Sequence, residues 1–171
     1  MELDFDAMAP GDRYKVLASL VTPRPIAWVT TTDREGNLNA APFSFFNCFG
    51  SNPPILAFAP GNKEAGLPKD TARNIRETRE FLVNIADEAL AEQMVATSAT
   101  LPHGESELEA TGLTPAASSV VSAPRIAEAP VAFECREWAT LEIGSNRLVV
   151  GVVHYAHIRD GLLDPDSLSL D

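Results

Sequence analysis

The stretch "PRPIAWVTTTDREGNLNAAPFSFFNCFGSNPPILAF", residues 23–58, carries the clearest signals for the fold of this chain. β-Branched residues crowd positions 26–32, which predicts a strand. "DREGN" at 33–37 predicts a turn in which Gly36 takes a positive φ, so residues 38–47 are expected to return antiparallel as a hairpin. "NPPILAFAP" then predicts a short third strand after a proline-marked bend.

The rest of the chain adds a few helices and one more clear hairpin. Helices are expected over 14–20, 70–79 and 87–97, and a strand over "EFLVNI". Residues 98–130 carry only a short helical signal ending at Gly112, which predicts a surface excursion that could act as a lid. "VAFECREWATLEI" and "RLVVGVVHYAHI" predict two long strands joined at "GSN". Hairpins rather than βαβ units favour a mainly antiparallel barrel with appended helices, in one domain over 1–171.

Composition narrows the possible partners. The 171 residues are 45% hydrophobic and carry 13 Lys and Arg against 24 Asp and Glu, for a net charge of −11. A chain so acidic is poorly suited to nucleic acid or to an anionic membrane surface. The N-terminus lacks signal-peptide order and no apolar run approaches the ~20 residues of a membrane helix. A cytoplasmic location is therefore predicted.

Several chemical motifs are missing from the sequence. It holds no GxGxxG, GxxxxGK[ST] or GxSxG pattern, and no catalytic acid or base can be assigned. His154 and His157 are three apart, which in a strand sends them to opposite faces and argues against a shared metal. Cys48 and Cys135 lack CxxC spacing and are predicted to be buried apolar fillers. No metal site is expected.

"KDTARNI" suggests an anion site on physical grounds. If Asp70 caps the helix, Thr71 lies in its first turn, where unpaired N–H groups and the positive end of the helix dipole gather. Lys69 adds a positive charge beside them, so a ligand phosphate would suit this position. A capped surface helix with a solvated lysine explains the same residues.

The opening hairpin could supply a flat ligand with both polar and apolar neighbours. One strand offers the hydroxyls of Thr30, Thr31 and Thr32, and the next offers the groups of Ser44, Phe45, Phe46 and Asn47. A flavin needs apolar contacts for its ring and hydrogen-bonding groups for its pyrimidine edge. The alternative is that the phenylalanines fill the barrel and the threonines only favour a strand.

Taken together, these segments resemble the flavin reductase-like, FMN-binding split-barrel family. "TPRPIAWVTT", "NAAPFSFFN", "NPPILAF", "KDTARNI", "EFLVNI", "ESELEATGLT", "SAPRIAEAPVAFECR" and "VVGVVHYAHI" occur in the family's order and approximate spacing. The resemblance implies a six-stranded antiparallel Greek-key split barrel, a homodimer, and FMN held near the subunit interface. Members commonly continue past the equivalent of residue 171, so the family's C-terminal segment is expected to be missing here.

The resemblance also implies a set of cofactor-binding residues. One side of the flavin would be lined by Arg24, Pro25 and Ile26. Its ribityl chain or phosphate would be faced by Thr30 and Thr31. Its ring would be contacted by Ser44, Phe45, Phe46 and Asn47. Its phosphate would be held by Lys69 and Thr71.

The function implied first is an NAD(P)H-dependent flavin oxidoreductase. NAD(P)H would be a transient hydride donor, and reduced flavin would pass to a partner monooxygenase, to oxygen or to another acceptor. A second possibility is an FMN-containing electron-transfer protein similar to flavoredoxin, without NAD(P)H turnover. A third is a binding protein in which the flavin is structural or another flat ligand takes its place. The sequence does not separate the first two, because both need the same flavin site.

Overall fold

The structure is a computed structural model that describes residues 1–64, 66–99, 101–102 and 105–170. Its helices are α1 Pro10–Leu20, α2 Asp70–Thr78, α3 Ala91–Ala96 and α4 Glu107–Thr111, with a 3-10 turn at Glu88–Leu90. Its strands are β1 Ala27–Thr32, β2 Leu38–Phe43, β3 Phe46–Ser51, β4 Pro54–Phe58, β5 Asn62–Glu64, β6 Leu67–Pro68, β7 Glu80–Ile85, β8 Pro115–Ala116, β9 Arg125–Ile126, β10 Val131–Ile143 and β11 Asn146–Ile158.

Seven of these strands form one antiparallel sheet in the order β2-β1-β7-β10-β11-β4-β3. The two edge strands, β2 and β3, are consecutive in the chain and are joined only by Ser44 and Phe45. A two-residue link cannot span a flat sheet of seven strands spaced ~4.8 Å apart, so the sheet must curl until its edges meet. This confirms the antiparallel split barrel, and β2 with β3 counts as one interrupted strand of the six expected.

The interruption corrects the strand predicted over 38–47. Phe43 pairs with Ala27 on β1, whereas Phe46 pairs with Phe58 on β4. The chain therefore changes pairing partner at Ser44 and Phe45, and Ala59 N–H donates to Phe45 O at 2.9 Å beyond the end of β4. Alternation of apolar and polar residues reports which face a side chain takes and carries no information about such an exchange.

The sheet encloses a core to which β1 and β7 both contribute: every residue of β1 is buried, and Phe81, Leu82 and Val83 of β7 are fully buried. Phe58 lies 5.5 Å from Phe81 and 5.2 Å from Phe43, ring centroid to ring centroid, within the main cluster. A second cluster around Trp28 joins β1 and β2 to α3, α4 and the loop before β10. Aromatic pairs at these separations add to the stability that comes from area burial alone.

Several sequence predictions of local structure were only partly right. α1 begins at Pro10 rather than at residue 14, with a proline in the first turn, where its missing N–H costs nothing. In the helix predicted over 87–97, Ala91, Met94 and Val95 are the apolar residues expected to face inward; Met94 is buried, but Ala91 and Val95 are exposed. Cys135 is a buried core residue, whereas Cys48, on edge strand β3, is exposed and not a buried filler. No described helix is long and apolar enough to cross a membrane.

Candidate functional site

A cavity of about 300 Å³ opens where the two edges of the barrel meet. Its volume lies at the lower end of the ~300–1,000 Å³ typical of small-molecule sites. Elements distant in the chain form its walls: α1, the link between β2 and β3, the segment after β4, the start of α2, and the turn between β10 and β11. The lining residues are Tyr14, Pro42, Phe43, Ser44, Phe45, Ala59, Pro60, Gly61, Lys69, Ser145, Asn146 and Arg147.

One wall of the cavity is aromatic and is exposed in part. Phe45 keeps 39% of its surface accessible, and the Tyr14 ring lies 5.9 Å from it, centroid to centroid. The Arg24 guanidinium lies 5.5 Å from the Phe45 centroid and donates to the carbonyls of Ala18 and Val21 at the end of α1. Arg24 therefore fastens α1 beside the aromatic wall through a cation–π contact and two hydrogen bonds.

Lys69 lines both this cavity and a smaller one of about 50 Å³. Its ammonium lies 5.4 Å from the Phe43 centroid. Thr71, on the wall of the smaller cavity, accepts a hydrogen bond from Asn39 Nδ2 at 2.9 Å. A hydroxyl that already accepts can still donate its own hydrogen, so Thr71 retains a donor for an oxyanion. Lys63 lines the same small cavity.

Asp70 does not cap α2 as the sequence predicted. The helix begins at Asp70 itself, and Lys69 occupies the N-cap position in an extended conformation without a side-chain capping bond. The Asp70 carboxylate forms ion pairs with Lys63 and, at 2.8 Å, with Arg73. Because these two cations engage the carboxylate, Asp70 does not cap the first turn. The N–H groups at the start of a helix have no intrahelical partner and can serve an anion.

Glu107, at the start of α4, attaches the 98–130 excursion to the site. Its carboxylate accepts the Ala40 N–H of edge strand β2 at 2.9 Å and lies on the wall of the smaller cavity. Burial raises the pKa of Glu107, and the negative charge of Asp70 adds to that effect. The excursion thus covers an edge of the sheet whose backbone donors would otherwise face solvent.

The structure brings together only part of the predicted site. Ser44, Phe45 and Lys69 line the larger cavity, Lys69 and Thr71 line the smaller, and Arg24 lies against Phe45. Thr30 and Thr31 are fully buried: Thr30 donates to Pro124 O at 2.7 Å, and Thr31 accepts from Asn74 Nδ2 at 3.1 Å. In this conformation their hydroxyls support neighbouring segments and do not reach either cavity.

The other predicted residues lie beside the cavities rather than in their walls. Ile26 packs on the Trp28 cluster and Phe46 on the main core. Pro25 and Asn47 are exposed, and Asn47 Oδ1 accepts the N–H of Cys48 at 2.8 Å. Their predicted contacts with a flavin stay predictions.

Tyr14 and Arg147 are lining residues that sequence reasoning missed. Arg147 is held by Glu142 at 3.1 Å and by Asn62 at 3.2 Å, so its side chain is fixed against the cavity wall. Nothing in the local sequence marks either residue, because only the curling of the sheet brings α1 and the last hairpin beside Phe45.

Comparison with known proteins decides the family. The model of the flavin reductase like domain matches residues 19–168. This chain belongs to that family. An uncharacterized protein of Deinococcus radiodurans is 42% identical over 173 residues, covering 98% of this chain and 76% of the relative. The matched region includes every lining residue of both cavities except Tyr14, so the family assignment covers the part of the molecule described above.

Solved structures of similar proteins agree with this assignment. Nitrilotriacetate monooxygenase component B from Bacillus cereus is 35% identical with a TM-score of 0.93, covering 98% of this chain and 86% of its own. The 2-nitrobenzoate 2-nitroreductase of Pseudomonas fluorescens is 33% identical with a TM-score of 0.88, covering 99% and 82%. These TM-scores show that the chain and the two solved structures share the barrel architecture, in agreement with the flavin reductase-like family.

The residues present suit FMN. A ring system needs the aromatic wall of Phe45 and Tyr14, and a phosphate needs cations and free donors, which Lys69 and the first turn of α2 supply. Lys69 lines both cavities, which places a cation beside the aromatic wall and beside the start of α2, as a ligand with a flat head and an anionic tail requires.

Proposed function

We propose that this protein binds FMN and acts as an NAD(P)H-dependent flavin reductase. The observation that carries the proposal is the pair of cavities that share Lys69 in their linings, one with an aromatic wall and the other small enough to suit a phosphate. The same features support FMN over riboflavin, because a phosphate-free flavin would leave the cationic end unused. The matching domain and the flavin reductase-like neighbours support the redox assignment.

When bound, FMN supplies the hydride and electron chemistry, and the chain needs only to hold and orient it. Lys69 and Thr71 bind the phosphate, with the unbonded N–H groups of α2 behind them. Phe45 and Tyr14 pack against the ring, and Ser44 offers a hydroxyl to its polar edge. Thr30 and Thr31 act one layer further back, by fixing the segments that surround the site.

Anaerobic stopped-flow mixing tests the redox proposal. Protein loaded with FMN should lose its flavin absorbance on mixing with NADH or NADPH, at a rate that rises with nucleotide concentration. A protein that binds FMN, accepts electrons from dithionite and ignores both nucleotides would instead be an electron-transfer flavoprotein similar to flavoredoxin. Failure to bind flavin at all would reject both.

A second assay on the same protein identifies the electron acceptor. Component B of a monooxygenase and a nitroreductase are both among the similar structures, so the electrons could go to a partner monooxygenase or to a small nitroaromatic compound. Steady-state NAD(P)H oxidation with excess free FMN, and separately with 2-nitrobenzoate, distinguishes the two. Stimulation by free FMN supports delivery of reduced flavin to a partner.

We propose further that the protein is a homodimer. Phe49 on β3 is 67% exposed, and Trp138 and Ile143 on the outer half of β10 are 72% and 69% exposed. Apolar side chains of this size are seldom left in solvent together on a monomer.

Light scattering should give about twice the 18.4 kDa of one chain. Trp138→Glu with Ile143→Glu should yield monomers, whereas Arg34→Glu, in an exposed turn, should not. A wild-type monomer with stoichiometric FMN would contradict the proposal.

A further inference from the structure

A second concave site lies at the opposite end of β11 from the flavin cavity. It is a groove of about 460 Å³ lined by Arg125, Ala127, Ala129, Pro130, Tyr155, Ala156, His157, Ile158, Arg159 and Asp160. Arg147, in the wall of the flavin cavity, and His157 are ten positions apart on one strand, which is about 33 Å at ~3.3 Å per residue. Within one subunit the groove is therefore separate from the flavin site.

Arg125 is the unusual residue in this groove. It is half-buried, and its Nε is sealed from solvent without a hydrogen-bond partner among the described residues. Its guanidinium also has no ion pair within that part of the chain. By contrast, Arg159 in the same groove pairs with Asp87 at 3.0 Å and donates to the Glu128 carbonyl at 2.9 Å. Because Arg125 keeps part of its surface accessible, an anion that enters the groove can pair with its guanidinium.

The backbone that carries Arg125 is firmly held. The preceding carbonyl, of Pro124, accepts the Thr30 hydroxyl at 2.7 Å, and the following N–H, of Ile126, donates to Asn84 Oδ1 at 3.0 Å. Arg125 itself pairs with Ala116 in the short β8–β9 ladder. The guanidinium is thus presented from a rigid position, which lowers the cost of binding a ligand.

His157 forms an equally fixed wall. Its Nε2 lies 2.6 Å from Oε1 of Glu134, which is fully buried. Glu134 also accepts the N–H groups of Ser119, Val120 and Val121 at 2.6, 2.6 and 3.1 Å. The Tyr155 ring lies 5.1 Å from the imidazole, centroid to centroid. His157 and Tyr155 therefore offer ordered aromatic surfaces.

We propose that this groove binds an organic oxyanion whose carboxylate or phosphate pairs with Arg125. The planar guanidinium fork matches both groups in bidentate geometry. The methyl groups of Ala127 and Ala129, the Pro130 ring and the Tyr155 ring provide apolar contacts for the organic part. Asp160 is the carboxylate in the lining, and it is exposed. Among the described residues Arg159 has a counter-ion and Arg125 has none, so Arg125 sets the preference for an anion.

Nuclear magnetic resonance titration of the full chain tests this directly, with inorganic phosphate and benzoate as separate probes. We expect saturable shifts of the Arg125 Nε–H and of the Tyr155 and His157 amides with at least one probe. Arg125→Met should weaken that binding by about tenfold or more, the effect of losing a charged hydrogen bond. Arg125→Lys, which keeps the charge without the fork, should fall between. A response to phosphate alone indicates a phosphate ester, and a response to benzoate alone indicates a carboxylate.

Two controls separate this site from the flavin site. Arg34→Met removes an exposed arginine elsewhere and should leave the groove affinity unchanged. Lys69→Ala should also leave the affinity of the groove unchanged, because anion binding in the groove does not depend on flavin binding. Absence of saturable shifts at the groove with both probes, or equal affinity in wild type, Arg125→Met and Arg125→Lys, would overturn it.

Discussion

Lys69→Ala should weaken FMN binding by roughly ten- to a hundredfold, because a hydrogen bond to a charged group contributes about 1.5–3 kcal/mol. Lys69 is the residue that both cavities share, and its charge stands at the uncapped start of α2. Riboflavin lacks the phosphate, so its affinity should change little. Titration of each flavin, followed by quenching of flavin fluorescence, measures both constants.

Two further variants make this result interpretable. Thr71→Val removes the hydroxyl that would donate to the phosphate and should show the same selectivity more weakly. Lys15→Ala removes an exposed lysine that pairs with Asp12 on α1 and should affect neither flavin. Equal losses of FMN and riboflavin in Lys69→Ala would mean that Lys69 supports the ring pocket through its contact with Phe43. No loss of either would remove the phosphate site from the proposal.

Glu134→Gln should lower the free energy of unfolding by about 3–5 kcal/mol at pH 7, the usual cost of breaking a buried ionic group away from its partners. The wild-type carboxylate accepts three backbone N–H groups and faces His157. An amide in its place turns an NH₂ group towards some of those donors. Urea unfolding of the flavin-free protein measures the loss.

The loss of unfolding free energy in Glu134→Gln should depend on pH. Burial opposes ionisation of Glu134, but the backbone donors and His157 outweigh it and lower its pKa below the ordinary 4.5. A lowered pKa means that the carboxylate stabilises the fold above pH 4.5 and that this contribution is lost as pH falls through the folded-state pKa. The gap between wild type and Glu134→Gln should therefore narrow in acid.

Two control variants accompany Glu134→Gln. Glu92→Gln, at an exposed position on α3, should change the stability little at any pH. His157→Gln removes one of the four contacts to Glu134 and should cost less than Glu134→Gln. A Glu134→Gln protein as stable as wild type at pH 7 would contradict the prediction and would make the 118–122 loop independent of this carboxylate.

The sequence predicted best what depends on neighbours in the chain. The β1–β2 and β10–β11 hairpins follow from turn residues between apolar strands, and both are present with antiparallel registers. Cys135 is buried as predicted, and burial together with the charge of Glu134 raises the pKa of its thiol.

What the sequence did not predict depends on contacts between distant segments. The strand exchange at Ser44 and Phe45 is decided by which partners the sheet offers, not by local alternation. Thr30 and Thr31 were predicted to face a ligand. In the structure their hydroxyls bond instead to Pro124, in the 98–130 excursion, and to Asn74, on α2. Asp70 has the identity of a capping residue, but Lys63 draws its carboxylate away. The strand exchange, the burial of the two threonines and the position of the Asp70 carboxylate all depend on residues at least seven positions away in the chain.

The two-residue link between β2 and β3 has a consequence for synthesis on the ribosome. A nascent chain that has emerged as far as β4 already contains the hairpins β1–β2 and β3–β4 and both residues of the aromatic wall, Tyr14 on α1 and Phe45 between the hairpins. Those hairpins belong at opposite edges of the sheet, and only β7, β10 and β11, made later, join them. Ser145, Asn146 and Arg147, which complete the cavity, come near the end of translation. We therefore expect the proposed flavin site to be complete only after almost the whole chain has been synthesised and folded.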